Sequence, residues 1–153
     1  IDSLITGSNS WNSGSGLIFQ FSTDGSSGAA GSEWDSLGIN GDLDLSGVTS
    51  GDPFTLALVS MSDSTTSGLL GSWNANANAT WSGFVTTTGS ITGFAGDKFL
   101  VDTTNFQNTL NGSFSVVLNG SNLDLVYTAV PEPGAALLGG LGLLMLLRRR
   151  RRP

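Results

Sequence analysis

Large apolar residues alternate with polar ones along much of the first 130 positions of the chain. A period of two places every second side chain on one face of an extended strand, so this pattern predicts half-buried β-strands. In residues 17–21 (LIFQF), the apolar side chains of Leu17, Phe19 and Phe21 share one face, and turn-forming glycines and serines flank the segment. This segment is therefore predicted to be a strand with one face in a core.

Two more strands are predicted before residue 62. Residues 33–48 alternate, with Gly41 offering a bulge and with Asp42 and Asp44 on the polar face. The apolar face of that strand is predicted to carry Leu37, Ile39, Leu43 and Leu45. Residues 53–61 (PFTLALVSM) are apolar at nearly every position, which predicts a strand that is buried on both faces.

The next part of the chain begins with a polar, low-complexity stretch at residues 62–79, which predicts an exposed excursion. Strand signals resume in residues 80–92, where threonines surround Trp81, Phe84, Val85 and Ile91. Phe99 and Val101 are predicted to point inward before the next turn. Residues 113–118 and 122–128 then alternate on either side of Asn119-Gly120. An Asn-Gly pair between two such runs is the strongest short-range signal for a β-hairpin.

Seven or so short strands joined by Gly, Ser, Thr and Asn turns predict an all-β domain. Two architectures remain open, the end of a glycine-rich β-solenoid and a β-sandwich, because alternation is common to both. The strand signals end near residue 129, so residues 1–129 are predicted to form this domain and residues 130–153 a separate tail.

The tail contains an apolar run at residues 134–147 that carries no charged residue. As a helix, these residues would span roughly 21 Å, against roughly 30 Å of bilayer hydrocarbon. We expect a short, marginal transmembrane helix that begins at Gly134 and is favoured by Leu137, Leu138, Leu141, Leu143, Leu144, Leu146 and Leu147. A buried core helix and a secretory signal are the alternatives, and both fit poorly with positive charges that follow the run at the end of the chain.

Five consecutive arginines follow the apolar run: Arg148, Arg149, Arg150, Arg151 and Arg152. Clustered positive charges beside a membrane span stay on the cytoplasmic side, so the residues before Pro131 are predicted to lie across the inner membrane. Each arginine also attracts the anionic leaflet by about 1 kcal/mol, which helps to hold a weak span in place.

The tail as a whole resembles the PEP-CTERM sorting signal of Gram-negative bacteria. Pro131, Glu132 and Pro133 match the motif that names that signal, and the apolar helix and the arginines follow in the same order. The resemblance implies an exported protein that a membrane-embedded exosortase processes near Pro-Glu-Pro, in an organism that makes extracellular polysaccharide. The two prolines disfavour helix in the residues before them, so the motif is expected to be extended and accessible.

The body is similar, less specifically, to the end of passenger-like β-repeat surface proteins that carry such tails. This second resemblance spans most of residues 30–130 and implies a β-solenoid whose last rungs precede the anchor. No repeat of fixed period is visible. The chain begins at Ile1 without a signal peptide, so we expect the C-terminal fragment of a longer exported protein.

Composition limits the chemistry of this chain. Lys98 is the one basic residue among positions 1–130, against eleven acidic residues, so binding to nucleic acid through its phosphates is not expected. Histidine and cysteine are absent, which excludes Ser-His-Asp and Cys-His catalysis and the usual zinc ligands. We expect no cofactor and no resident metal.

The carboxylates could in principle support glycosidase-type catalysis or calcium binding, but the sequence favours neither. Candidate residues for glycosidase-type catalysis are Glu33, Asp35, Asp42 and Asp44, which are better explained as solvent-facing or turn residues. Candidate calcium ligands are Asp24, Asp52 and Asp97, but no EF-hand loop or GGxGxD repeat accompanies them.

The four tryptophans are candidates for stacking on sugar rings. Trp34 and Trp81 are expected to fill the core, whereas Trp73, next to NANANA, is the most exposed candidate for a sugar contact. We therefore expect a non-enzymatic surface or matrix protein, first anchored in the inner membrane and then released to the cell surface. The alternative is a carbohydrate-binding module of a larger envelope enzyme, with extracellular polysaccharide as its partner.

Overall fold

The computed structural model describes residues 1–26 and 28–131. Glu132, Pro133, the predicted transmembrane helix at 134–147 and the arginines at 148–152 lie outside the described residues. Within the described part of the chain, no helix is long and apolar enough to cross a membrane.

The prediction of an all-β body is confirmed, because the described residues form nine strands, one short 3-10 turn at Gly96–Lys98, and no α-helix. The strands are β1 (Ser3–Asn12), β2 (Gly16–Phe21), β3 (Ser36–Gly47), β4 (Phe54–Ser60), β5 (Ala79–Thr87), β6 (Ile91–Thr92), β7 (Phe99–Asn105), β8 (Gly112–Asn119) and β9 (Asn122–Ala129).

Strands β1 to β5 alternate between two sheets. The first sheet has the order β1-β3-β5-β9-β8, with β6 also paired to β3, and the second has the order β2-β4-β7. Strands β1, β3 and β5 pair in parallel, as do β2, β4 and β7. Up to β7, each passage of the chain therefore adds to both sheets, and the third passage adds both β5 and the short β6 to the first sheet. The passages differ in length, since Ser36 lies beside Ser3, 33 positions earlier, and Thr88 beside Asn40, 48 positions earlier.

The predicted β-hairpin is confirmed as β8 and β9, which pair antiparallel along their whole length. Asn119 pairs with Asn122, so the loop consists of Gly120 and Ser121 rather than of the Asn-Gly pair itself. Gly120 has a φ of 60°, while none of the described non-glycine residues has a positive φ. A two-residue loop with glycine first is the type II′ arrangement, whose twist matches that of the flanking strands.

The hydrophobic core lies between the two sheets, and the alternation predicts most of it correctly. On β3, Ile39, Leu43 and Leu45 are fully buried. Gly41 has a φ of 142°, and the register between β1 and β3 shifts beside it, which confirms the predicted bulge. Phe19 and Phe21 of β2 are buried as predicted.

The prediction that β4 is buried on both faces is wrong. Phe54, Leu56 and Leu58 are buried against the first sheet, but Ala57 and Val59 on the opposite face are only half-buried. That face is the outer surface of a body made of two sheets, and no third layer covers it among the described residues. An apolar run in the sequence is therefore not sufficient to predict burial on both faces of a strand.

The prediction that residues 62–79 are an exposed excursion is wrong in part. Leu70 is 3% exposed, and Asn108 fixes it from both sides, accepting from the Leu70 N–H at 2.8 Å and donating to the Leu70 carbonyl at 3.1 Å. The first sheet extends by two strands, β9 and β8, more than the second sheet has, and β8 contacts β7. Residues of this excursion, together with Phe106, cover the inner face of that extension.

Strand β1 is not predicted by the sequence. Its residues, SLITGSNSWN, include only three large apolar side chains, and the alternation is weak. Its extended form is set by parallel pairing with β3, which is a tertiary contact rather than a local preference.

Candidate functional site

The body ends where the proposed sorting motif begins. Strand β9 ends at Ala129, and the Val130 N–H donates to the Asn111 carbonyl at 2.8 Å. Pro131, the first residue of the motif, is exposed directly after this last tie. The remaining motif residues, Glu132 and Pro133, lie outside the described residues.

Trp73 is half-buried and belongs to an aromatic cluster rather than standing free on the surface. Its ring centroid lies 4.7 Å from that of Tyr127, 4.9 Å from Phe106 and 6.1 Å from Phe114. The Trp73 Nε1–H donates to the Thr109 carbonyl at 2.8 Å. The indole is therefore held in one orientation, as rings in edge and offset contacts usually are.

A cavity of about 240 Å³ opens beside Trp73. Besides the indole, its polar lining comes from Asp24, Ser26, Asn74, Asn78 and Thr80. These residues reach the cavity from two separate parts of the chain, the turn after β2 and the segment that leads into β5.

The two walls of this cavity are fixed by local backbone geometry. Gly25 has a φ of 74°, and a Cβ at this position would lie 2.4 Å from the Thr80 carbonyl oxygen, so only glycine fits here. The Asp24 carboxylate accepts from the Ser26 N–H at 3.1 Å, and the Asn78 side-chain oxygen accepts from the Ala129 N–H at 2.9 Å. The cavity therefore combines one aromatic surface with preset acceptor and donor groups.

A second cavity, of about 330 Å³, opens between the first strands of the two sheets. Its apolar wall consists of Leu4, Leu17, Ile18, Phe19, Leu37 and Phe84. At its mouth, the Asp35 carboxylate accepts from the backbone N–H groups of Asp2 and Gln20, each at 2.8 Å. Most of this lining is apolar, unlike the cavity beside Trp73.

The four carboxylates considered for catalysis each bind neighbouring polar groups. Besides Asp35, Glu33 accepts from the Ser22 hydroxyl at 3.2 Å. The Ser90 N–H, and then the Ser90 hydroxyl, lower the pKa of Asp42. Hydrogen bonds from Ser46 lower the pKa of Asp44. These contacts tie loops and strands together, as turn carboxylates commonly do.

The candidate calcium ligands lie apart in the structure. Asp24 lines the cavity beside Trp73, Asp52 lies near Gly14, and Asp97 is in the 3-10 turn. Among the described residues, no group of three or more Asp, Glu, His or Cys side chains comes together to hold a metal ion.

Asp124 is a buried carboxylate that the sequence does not single out. It is 6% exposed, and its two oxygens accept from the Gly83 N–H at 2.7 Å and from Asn119 Nδ2 at 2.8 Å. Gly83 lies where the register between β5 and β9 shifts, and its φ is 63°. Alternation along β9 places Asp124 on the face opposite the buried leucines of that strand and so predicts that its side chain is exposed to solvent. This prediction fails because the bulge that covers Asp124 is not visible in sequence.

Comparisons with known proteins complete this description. No protein-family model matches the chain, and no curated protein or solved structure matches it significantly.

Proposed function

We propose that this chain is a non-enzymatic exported protein of the cell surface or extracellular matrix, sorted and processed through its C-terminal tail. The observation that carries the proposal is the order of the tail, in which Pro131-Glu132-Pro133, an apolar run of membrane character and five arginines follow one another. The partners it implies are the inner membrane and an exosortase-type enzyme.

The body fits the end of a β-solenoid. Parallel addition of strands to both sheets on each passage is how a solenoid grows, and the antiparallel hairpin β8–β9 ends that growth in the first sheet. The unequal passages of 33 and 48 positions account for the absence of a fixed period in the sequence. A stalk or matrix component is the role that we assign to such a body.

The junction also suits processing. The bond between Val130 and Asn111 is the last described tie of the chain to the body, and Pro131 lies exposed beyond it. An enzyme that cuts after this point would leave every strand of the body in place, so the released product would keep its fold.

The test is mass spectrometry of the C-terminus of surface material from an exosortase-containing host. We expect a product that ends near Pro133 and lacks Arg148–Arg152. Replacing Pro131 and Pro133 with alanine should leave the precursor uncut in the membrane, because the extended motif is lost. A surface product that keeps all five arginines would refute processing.

A second variant tests the role of the arginines in membrane orientation separately from recognition of the Pro-Glu-Pro motif. Replacing all five arginines with serine removes about 1 kcal/mol of membrane attraction per residue but leaves Pro-Glu-Pro intact. We expect this variant to be misoriented or uncut. Its normal export and cleavage would refute the topology argument.

A second candidate function, a carbohydrate-binding module, is favoured by the cavity beside Trp73. A fixed indole with a carboxylate and two amides around it complements a hydroxylated ring, which offers an apolar face and polar edges. The small volume suits one sugar unit of a polysaccharide rather than a long segment.

Affinity electrophoresis in extracellular polysaccharide tests this second function. Trp73→Ala should abolish retardation, and Asn74→Ala, which spares the aromatic cluster, should weaken it. Leu69→Ala, an exposed leucine outside the cavity lining, is the control. Equal migration of wild type and all three variants would exclude sugar binding at this cavity.

A further inference from the structure

The low-complexity segment at residues 74–79 (NANANA) lies against the hairpin β8–β9, at the end of the body from which the tail leaves. Tyr127 of β9 is fully buried, and its hydroxyl donates to the Ala75 carbonyl at 2.9 Å. The same hydroxyl accepts from the N–H of Asn111, the residue before β8, at 2.8 Å. One phenol therefore joins the segment to β9 and to the start of β8.

Two asparagines of the segment bind the ends of the hairpin through their side chains. Asn76 Oδ1 accepts from Asn111 Nδ2 at 2.6 Å, and Asn78 Oδ1 accepts from the Ala129 N–H at 2.9 Å. The Asn111 carbonyl accepts from the Val130 N–H at 2.8 Å, and Asn111 Nδ2 also donates to the Val130 carbonyl at 3.4 Å. We call Asn76, Asn78 and Asn111 the asparagine network.

The asparagine network pairs the backbone groups of the last two residues before the tail. The N–H groups of Ala129 and Val130 and the carbonyl of Val130 all bind members of this network. An extended peptide is commonly bound through its main-chain hydrogen-bonding groups, which are already occupied at these two residues. Cleavage within a folded segment therefore requires that the segment first open locally.

The stretch between this network and the apolar run is short. Three residues, Pro131, Glu132 and Pro133, separate Val130 from Gly134, where the apolar run begins. Fully extended, three residues span at most roughly 11 Å. Pro131 is exposed. The stretch that follows the paired residues and precedes the apolar run therefore coincides with the Pro-Glu-Pro motif.

We propose that the asparagine network sets the upstream limit of the segment that a protease can reach, so that cleavage is confined to bonds after Val130. Its members are positioning residues, since they hold the substrate segment and supply no chemistry. The biological role of this limit rests on the proposed processing of the tail. The limit itself applies to any endoprotease, so it can be measured without an exosortase.

Limited proteolysis of the full chain in detergent tests the limit, with a broad-specificity endoprotease and mass spectrometry of the C-terminus of the resistant body. We expect wild-type products that end at residues 130–133. Asn78→Ala removes the acceptor of the Ala129 N–H. Products that end before Val130 should then form at least about fivefold faster, the increase in the open population expected when one ordinary hydrogen bond is lost.

Two control variants separate the network from asparagine content in general. Asn78→Asp keeps a side-chain oxygen for the Ala129 N–H and should keep the wild-type limit. Asn40→Ala removes an exposed asparagine of β3 whose side-chain oxygen accepts from Thr88 Oγ1 at 3.2 Å, and it should also keep the wild-type limit. Wild-type products that end before Ala129, or equal rates for Asn78→Ala and Asn40→Ala, would overturn the proposal.

Hydrogen exchange distinguishes a local limit from a general loss of stability in Asn78→Ala. We expect faster exchange of the Ala129 amide and unchanged protection of Leu125 in the middle of β9. If both amides exchange faster to the same extent, Asn78 stabilises the whole fold and the proposal is wrong.

An exosortase-containing host then tests the biological role. We expect surface material of Asn78→Ala to include products that end before Val130, whereas the Asn78→Asp product matches that of wild type. An uncut wild-type precursor in this host would refute the proposed processing, and with it the role in processing. Unchanged proteolysis of Asn78→Ala in detergent would instead refute the limit set by the network.

Discussion

The buried carboxylate of Asp124 is predicted to hold the bulge of β5 in place. It accepts from the Gly83 N–H at 2.7 Å and from Asn119 Nδ2 at 2.8 Å, and the Gly83 bond is buried. Replacing Asp124 with alanine removes both bonds and leaves the Gly83 N–H without its partner. A buried donor that loses its acceptor costs about 1–3 kcal/mol, and hydrogen bonds to a charged group lie at the upper end of that range.

We therefore expect Asp124→Ala to lower the free energy of unfolding by about 3 kcal/mol, a large part of the 5–15 kcal/mol typical of a domain. Urea denaturation followed by tryptophan fluorescence measures the change. With a slope of about 1–3 kcal/mol per molar urea, the midpoint should fall by at least about 1 M.

Two control variants make the Asp124 measurement specific. Asp97→Ala removes an exposed carboxylate from the 3-10 turn and should change stability by less than about 0.5 kcal/mol. Asp124→Asn keeps an oxygen for the Gly83 N–H and should cost less than alanine. If Asp124→Ala and Asp97→Ala have the same midpoint, the carboxylate does not hold the bulge.

The remaining predictions concern the tryptophans and pH. Trp81 donates its Nε1–H to the Thr23 carbonyl at 2.9 Å, whereas the buried Nε1–H of Trp34 has no partner among the described residues. The substitutions Trp81→Phe and Trp34→Phe remove the same volume, but only the first removes a hydrogen bond. Trp81→Phe should therefore lower the free energy of unfolding by about 1 kcal/mol more than Trp34→Phe in urea denaturation. An equal loss of stability would contradict this prediction. Hydrogen bonds that favour the charged form lower the pKa of four carboxylates below the ordinary 3.8: Asp42, Asp44, Asp63 and Asp102. The stability that these hydrogen bonds contribute is therefore complete above about pH 5 and is lost as the pH falls through the lowered pKa values. A urea midpoint that already falls between about pH 7 and pH 5 would contradict this prediction.

Local pattern was sufficient to predict the class of the fold and much of its core. The inward residues of β2 and β3 and the hairpin β8–β9 follow from alternation and turn chemistry, which act over a few residues. Strand β1 could not be predicted in the same way, because its pairing with β3 joins residues 33 positions apart. The residues of β1 alternate only weakly, so no local signal marks it as a strand.

The candidate sites also divide into features that neighbouring residues predict and features that depend on tertiary contacts. The sorting tail is read from consecutive residues, and its function stays a prediction. Trp73 could be named as an aromatic candidate, but Asp24, on the opposite wall of its cavity, comes from a distant part of the chain. Asp124 was missed because the glycine bulge that buries it depends on the register between β5 and β9.

The order in which the strands pair has a consequence for export. Of the described strands, only β8 and β9 are neighbours in both sequence and sheet, and all other pairings join strands that are separated along the chain. Non-local pairing slows folding because long loops must close before any contact forms, whereas a hairpin forms within microseconds. The hairpin is also the last part of the body to be synthesised. If the chain is exported as proposed, we expect it to stay unfolded while it is threaded through a secretion channel and to fold from its C-terminal hairpin once the body has emerged.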